Sequence, residues 1–185
     1  MGYMLITMKD VVRVPPHMFD MPIEDAIKKI LELQYERKLD KNLGVIILIV
    51  DILEVGEGTM VIGDGAGYFE SKFVVLTYKP ENNEIVETEV VETVNFGVFV
   101  RLGPLDGLIH FSQITKDYMS YDQKKHILVG NETKRMIAVG DIVRARIVAV
   151  SMNSMRIRDS KIGLTMRQPG LGKLEWIEEE REKEG

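Results

Sequence analysis

The chain contains no cysteine. Disulfides and thiolate metal sites are therefore excluded, and a reducing compartment suits it. Long hydrophobic runs are missing too. The longest is VIILIV, residues 45–50, broken by Asp51 and far too short to cross a bilayer. The opening stretch, MGYMLITMKD, has no basic segment ahead of an apolar one. It does not read as a secretory signal, and a cytoplasmic location is the expectation. There is no internal repeat, and no low-complexity segment before the acidic tail. With 185 residues, 45% hydrophobic and 29% charged, the chain can build one large domain or two small ones.

Residues 81–99 hold five acidic residues and no basic one. The net charge of −5 argues at first against a nucleic-acid partner. Its distribution argues otherwise, because residues 100–174 carry 13 basic and 6 acidic residues. A cationic block inside an acidic chain is suited to phosphate.

The chain divides near Tyr78-Lys79-Pro80-Glu81-Asn82-Asn83, where proline ends a strand and Asn-Asn favours a turn. The expected class is α+β. Residues 1–80 should form a small helix-on-antiparallel-sheet domain, and residues 81–185 an all-β barrel with an acidic tail. In the first half, YMLITMKDVVRV (3–14) reads as a strand. A helix begins near Pro22, with Ile23, Ala26, Ile27, Ile30 and Leu31 on one face. LGVIILIVDILEV (43–55) is apolar on both faces, the pattern of a central strand. GEG at 56–58 turns the chain, and further strands follow.

In the second half, Val86, Val90 and Val94 share one parity. GVFVRLG and DGLIHF form a hairpin, and 115–140 reads as a long polar connection. DIVRARIVAV alternates, with Val143, Ala145, Ile147 and Ala149 inward and Arg144 and Arg146 outward. KIGLTMR places Ile162, Leu164 and Met166 inward. Five short strands with glycine-rich corners make a closed barrel of the OB type. Leu174, Trp176 and Ile177 in the tail suggest a short amphipathic helix.

The stretch NFGVFVRLGPLDGLIHFSQI (95–114) carries the candidate site. Phe96 and Phe99 have opposite parity, so a straight strand would point them to opposite faces. A corner at Gly97 brings both rings to the outer face and sends Val98 and Val100 to the core. Ile109 and Phe111 take core parity, which leaves His110 outward. Phe96, Phe99 and His110, with Arg101 beside them, suit unpaired RNA, whose bases stack on flat rings while cations follow the backbone. Phe99 and His110 rank ahead of Phe96, whose place at the strand end lets it cap the core and be half buried. Lys124, Lys125, Arg144, Arg146 and Arg167 are further cationic candidates.

Catalytic patterns fail. GDGAG (63–67) has Tyr68 where a dinucleotide fingerprint needs its third glycine, and no Gly-Lys-Ser/Thr makes a phosphate loop. Asp51 and Glu54, three apart on a strand, should face opposite sides and so not share a metal ion. His17, His110 and His126 lack ligand spacing. No catalytic residue, metal or cofactor is expected.

Residues 81–167 resemble the ribosomal-protein-S-one-type RNA-binding domain, an OB module. The resemblance rests on Phe96-Gly97-Val98-Phe99-Val100, on Gly107-Leu108-Ile109-His110-Phe111-Ser112, on Gly140-Asp141-Ile142-Val143-Arg144-Ala145 and on Ile162-Gly163-Leu164-Thr165-Met166. It implies that Phe96, Phe99 and His110 are the ring positions. The chain departs from it at Thr88, where glycine is common, and in the insertion SMNSMRIRDS (151–160).

Nearly the whole chain resembles the E-prime family of archaeal RNA polymerase subunits, counterparts of the seventh subunit of eukaryotic RNA polymerase II. The residues are GEG, GDGAGYF, the FVVLTYKP–EIVE stretch, LGPLDGLIHFSQI and LTMRQPGLG, with Tyr35-Glu36-Arg37-Lys38 in place of the commoner YEGK. The resemblance implies a noncatalytic stalk subunit that docks on the polymerase core, forms a heterodimer with the smaller F subunit and meets single-stranded nascent RNA. The docking loops map to Gly56, Glu57, Gly58, Gly63, Asp64 and Gly65. A free-standing RNA-binding protein of translation or decay shares the barrel and is the alternative. The first half, with Met4, Met8, Met18, Phe19, Met21 and Met60, discriminates, because a permanent subunit needs apolar surface for its partners.

Overall fold

The computed structural model describes residues 2–153 and 156–185. Ser154 and Met155, inside the expected insertion, lie outside the described residues. The chain forms two compact units, Gly2–Lys79 and Pro80–Gly185.

In the first unit, β1 (Tyr3–Val14) leads to α1 (Ile23–Tyr35), then β2 (Leu39–Asp40), β3 (Gly44–Val55), β4 (Thr59–Met60) and β5 (Gly67–Tyr78). The sheet order is β1-β5-β3-β2, with β4 on β5 and every pairing antiparallel. Pro22 is the N-cap of α1 rather than its first turn. The helix buries Ala26, Ile27 and Leu31 against Val12, Val14, Ile46, Ile49, Phe73 and Val75. Those residues recur at helical spacing on α1 and at strand parity on β1 and β5, which is why one helix on one sheet closes a core.

The other face of this sheet departs from the expectation. β3 is interior in the sheet but not buried on both faces: Leu48, Val50 and Leu53 are exposed, as is Leu5 on β1. Register shifts at Ile46/Leu48, Ile49/Asp51 and Ile52/Glu54 also break its two-residue period. Asp51 therefore pairs with Val74 and Glu54 with Lys72, so the two carboxylates share a face, contrary to the simple alternation. Glu54 lies 3.4 Å from Lys72 Nζ, and the described residues contain no cluster of metal-ligand type.

The second unit runs β6 (Ile85–Val94), β7 (Gly97–Leu102), β8 (Leu105–His110), β9 (Met119–Asp122), β10 (Ile127–Gly130), β11 (Met136–Ile137), β12 (Ile142–Ser151), β13 (Lys161–Thr165), β14 (Gly172–Lys173) and α2 (Leu174–Glu184). Strands β13-β8-β7-β6-β12 are consecutive neighbours, and β12 pairs with β13 to close a five-stranded barrel. The β13–β8 pair is parallel. Val90, Val98, Val100, Ile109, Val143, Ala145, Ile147, Ile162 and Leu164 fill it. The fold is the α+β arrangement of helix-on-sheet and OB-type barrel expected from the pattern.

Three local expectations need correction. A register shift between Val90 and Glu92 turns Thr93 inward in place of Val94. A second shift after Ile147 leaves Ala149 exposed. The polar stretch 115–140 is not a plain connection: β9, β10 and β11 form their own antiparallel sheet, which buries Met119, Leu128 and Ile137. Trp176 and Ile177 of α2 are buried.

Candidate nucleic-acid interface

Strand β7 is held at its start by a contact that only glycine permits. A Cβ on Gly97 would lie 2.2 Å from the Ile109 carbonyl oxygen, well inside van der Waals range. The tight corner after Val94 and Asn95 puts Phe96 just before β7 and Phe99 two residues into it. Their rings meet edge to face, 6.1 Å apart at 87°. Phe96 is 43% exposed and Phe99 half-buried, the reverse of the expectation that Phe96 would be the more buried.

The Phe111 N–H donates to the Phe96 carbonyl at 2.9 Å, stitching the end of β8 to this corner. His110 is exposed. Its Nδ1 lies 2.8 Å from Ser112 Oγ and accepts from the Ser112 N–H at 3.3 Å, so in the neutral ring Nε2 carries the proton. Phe111 does not enter the core as its parity implied. The chain leaves β8 for a 3₁₀ turn over Phe111–Gln113, and the Phe111 ring, half-buried, packs 4.3 Å from His110 and 5.9 Å from Tyr118. Tyr118 is 65% exposed. Phe111 and Tyr118 are the aromatics that sequence reasoning missed. Tyr118 lies in a segment read as polar, and nothing in its spacing announces the turn that aims it here.

The cationic candidates divide. Arg101 is exposed on the same face as Phe99, opposite Asp106, with no ion-pair partner among the described residues. Arg167 reaches the His110 side, where its Nη1 donates to the Ser112 carbonyl at 3.4 Å. Lys124 and Lys125 sit in the β9–β10 turn, their N–H groups held by Asp122 Oδ1. Thr93 Oγ1 donates to the His126 carbonyl at 2.6 Å, which fixes that turn to the end of β6, three residues before Phe96.

Arg144 and Arg146 are elsewhere. They lie on β12, separated from β7 by β6. Arg144 binds Glu87 at 2.6 Å, five residues back from Glu92, or about 16 Å along the strand. Arg146 Nε is buried without a hydrogen-bond partner among the described residues. The structure does not bring these two to the rings.

On the N-terminal unit, Gly56 and Glu57 follow β3, and the Gly56 N–H donates to Glu70 at 2.8 Å. A Cβ on Gly58 would strike the Phe69 ring at 2.7 Å, so a side chain here would have to displace that ring. Gly63 has φ +88 in open space, and a Cβ on Gly65 would meet Pro16 only at ordinary van der Waals distance, 3.5 Å. Asp64 is clasped internally: Arg13 donates to it through Nη2 at 2.8 Å and Nε at 3.0 Å, Tyr68 Oη donates at 2.7 Å, and the Ala66 N–H adds a third donor group. The Arg13 bond, then that of Tyr68, holds the Asp64 carboxyl well below the usual carboxylate range. Between these glycines Met60, Val61 and Ile62 are exposed, an apolar tip of which the sequence reading singled out only Met60.

Comparison with known proteins agrees with this architecture. Residues 9–65 match the SHS2 domain found in the N terminus of Rpb7p/Rpc25p/MJ0397, and residues 79–161 match the S1 RNA binding domain. That combination defines a class of two-domain RNA polymerase subunits. The chain is 46% identical to DNA-directed RNA polymerase subunit Rpo7 of Saccharolobus shibatae over 175 residues, covering 95% of this chain and 97% of the relative. It is 25% identical to DNA-directed RNA polymerase III subunit RPC8 of Bos taurus, over 94% and 98% of the two chains. The chain belongs to the Rpo7 family of DNA-directed RNA polymerase subunits. A match to ribonuclease R of Vibrio cholerae, 34% identical, covers 49% of this chain but only 11% of that enzyme.

Proposed function

We propose that this polymerase subunit is a noncatalytic stalk component of the cytoplasm, which holds emerging single-stranded RNA on its barrel, pairs with the smaller F subunit and docks on the polymerase core. In this reading residues 1–80 dock and residues 81–185 bind RNA. The observation that carries it is the aromatic belt of exposed Phe96, His110 and Tyr118 with half-buried Phe99 and Phe111, linked ring to ring or through backbone. Arg101, Arg167, Lys124 and Lys125 stand around it as backbone cations. Stacking of this kind accepts any base, which suits a protein that meets every transcript. The docking surface comprises the Gly56–Gly58 and Gly63–Gly65 loops, and the exposed Met60–Ile62 tip between them supplies apolar anchors.

The test is direct binding of a single-stranded oligoribonucleotide. Phe99→Ala combined with His110→Ala should weaken binding by about 2–4 kcal/mol, since each stacked base is worth about 1–3 kcal/mol. A folded double variant with unchanged affinity would falsify the belt. Pull-down of the tagged chain out of native lysate should bring the large polymerase chains and the F subunit. Their absence would return the chain to the free-standing alternative.

A further inference from the structure

The stretch 156–160, ahead of β13, shares a cleft with Phe99 of the aromatic belt. Its 3₁₀ turn, Ile157–Asp159, walls a cleft of about 400 Å³ whose lining includes Phe99, Glu92, Asp106 and Arg158. Phe99 is thus shared between the belt and this cleft. Pro104 and Ile157 complete apolar walls that can sandwich one planar ring.

The polar groups around that ring are arranged by sign. Glu92 stands directly opposite Phe99 on β6, and Asp106 stands opposite Arg101 on β8. Both carboxylates are exposed, and an ionised carboxylate accepts hydrogen bonds but donates none. They repel a phosphate and also the carbonyl edge of uracil. They attract a base edge made of donors. Arg158, exposed on the other element, attracts phosphate. A nucleotide entering here is therefore oriented, with its backbone toward Arg158 and its base edge toward the carboxylates.

Among the four bases, guanine alone presents two adjacent donors, N1–H and N2–H₂, which match the two oxygens of one carboxylate. Cytosine and adenine place an acceptor beside their amino group, and uracil flanks its single N–H with carbonyls. We propose that this cleft is a single-nucleotide subsite selective for guanine, built by Phe99, Glu92 and Asp106 and closed by Arg158 of the insertion. It rests on the reading of the barrel as an RNA-binding surface. It adds one selective position to an otherwise base-tolerant belt.

The experiment compares the full-length protein binding to a ten-nucleotide oligouridine and to the same oligomer with one central guanine, cytosine or adenine. The guanine oligomer should bind about five- to tenfold tighter than oligouridine, within the discrimination that one paired base edge supplies. Glu92→Gln, which replaces one acceptor oxygen by an amide donor and removes a charge that repels phosphate, should reduce that preference to less than about twofold without weakening oligouridine binding. Asp106→Asn provides a second variant should Glu92→Gln perturb the sheet. Arg158→Met should weaken all four oligomers alike and lower the salt dependence by about one phosphate contact. Equal binding of all four oligomers, with the Phe99 and His110 dependence intact, overturns the guanine subsite and leaves the belt standing. Loss of all RNA binding overturns both.

Discussion

Asp64 shows how a residue can be legible in type and illegible in role. Its place in a glycine-flanked loop marks a turn, and family resemblance marks a docking loop. Its partner Arg13 lies 51 residues away, and only the β1–β5 register, which sets Arg13 opposite Tyr68, closes the clasp. The same limit applies to Phe111 and Tyr118, which a 3₁₀ turn re-aims, and to Arg144, whose outward parity holds but whose neighbour Glu87 no local pattern announces. Parity finds faces; it does not find which strands become neighbours. The clasp has a pH signature. Because the folded pKa of Asp64 is depressed, its contribution to stability is full above the unfolded value of about 3.9. It declines as pH falls through the lower folded value, since the unfolded chain takes the proton first. Asp64→Asn should lower the melting temperature at pH 7, and the gap to wild type should shrink below about pH 4. A gap constant from about pH 7 to about pH 2 would rule out the charged clasp.

At the scale of elements, the long ones are readable. Apolar residues at helical spacing fix helix α1, and alternation with glycine corners fixes the barrel strands. β9, β10 and β11 escape because they are only four, four and two residues long, below the length at which a period of two is distinguishable from chance. Their sheet is tied together through Asp117, whose carboxylate accepts from the Thr133 and Glu132 N–H groups. The Thr133 N–H, chief among these donors, lowers its pKa. The same element reaches α2. Arg135, just before β11, lies over the Trp176 ring at 5.3 Å and pairs with Glu180 at 2.9 Å. A cation over an indole contributes about 0.5–1 kcal/mol at an accessible site, and the pair, with Glu180 more than half exposed, adds a few tenths. Arg135→Ala should therefore destabilise the barrel unit by about 1 kcal/mol. Amide hydrogen exchange over 174–184 should quicken ahead of the barrel strands. Unchanged exchange in the helix would mean that burial of Trp176 and Ile177 alone holds it.

For the molecule as a whole, chain length and the Pro80 break give the two-unit organisation, and charge distribution gives the cationic second half. The structure refines the latter. Part of that positive charge is paired internally, as in Arg144–Glu87 and Arg135–Glu180, so the acid-rich segments 81–99 and 175–185 neutralise the basic block locally. Among the cations without an ion-pair partner in the described residues, Arg101, Arg167, Lys124 and Lys125 are the ones nearest the aromatic belt. The first unit carries the complementary feature, apolar side chains with no work to do in its own core. Leu5, Leu48, Val50 and Leu53 lie exposed on its sheet, and Met60, Val61 and Ile62 project from the β4 region. A helix on one face satisfies the core, so the exposed set is free to serve the docking proposed for this unit. Ile62 separates the two demands most cleanly, because it is fully exposed and contributes nothing to packing. Val61→Asp combined with Ile62→Asp should change stability by no more than about 0.5 kcal/mol, as surface substitutions do. The same variant should fail to co-purify with the large polymerase chains, because each aspartate would carry an unpaired charge into an apolar contact. If it co-purifies at the wild-type level with unaltered melting, the tip is not an anchor, and the sheet face of Leu5 and Leu48 becomes the surface to substitute.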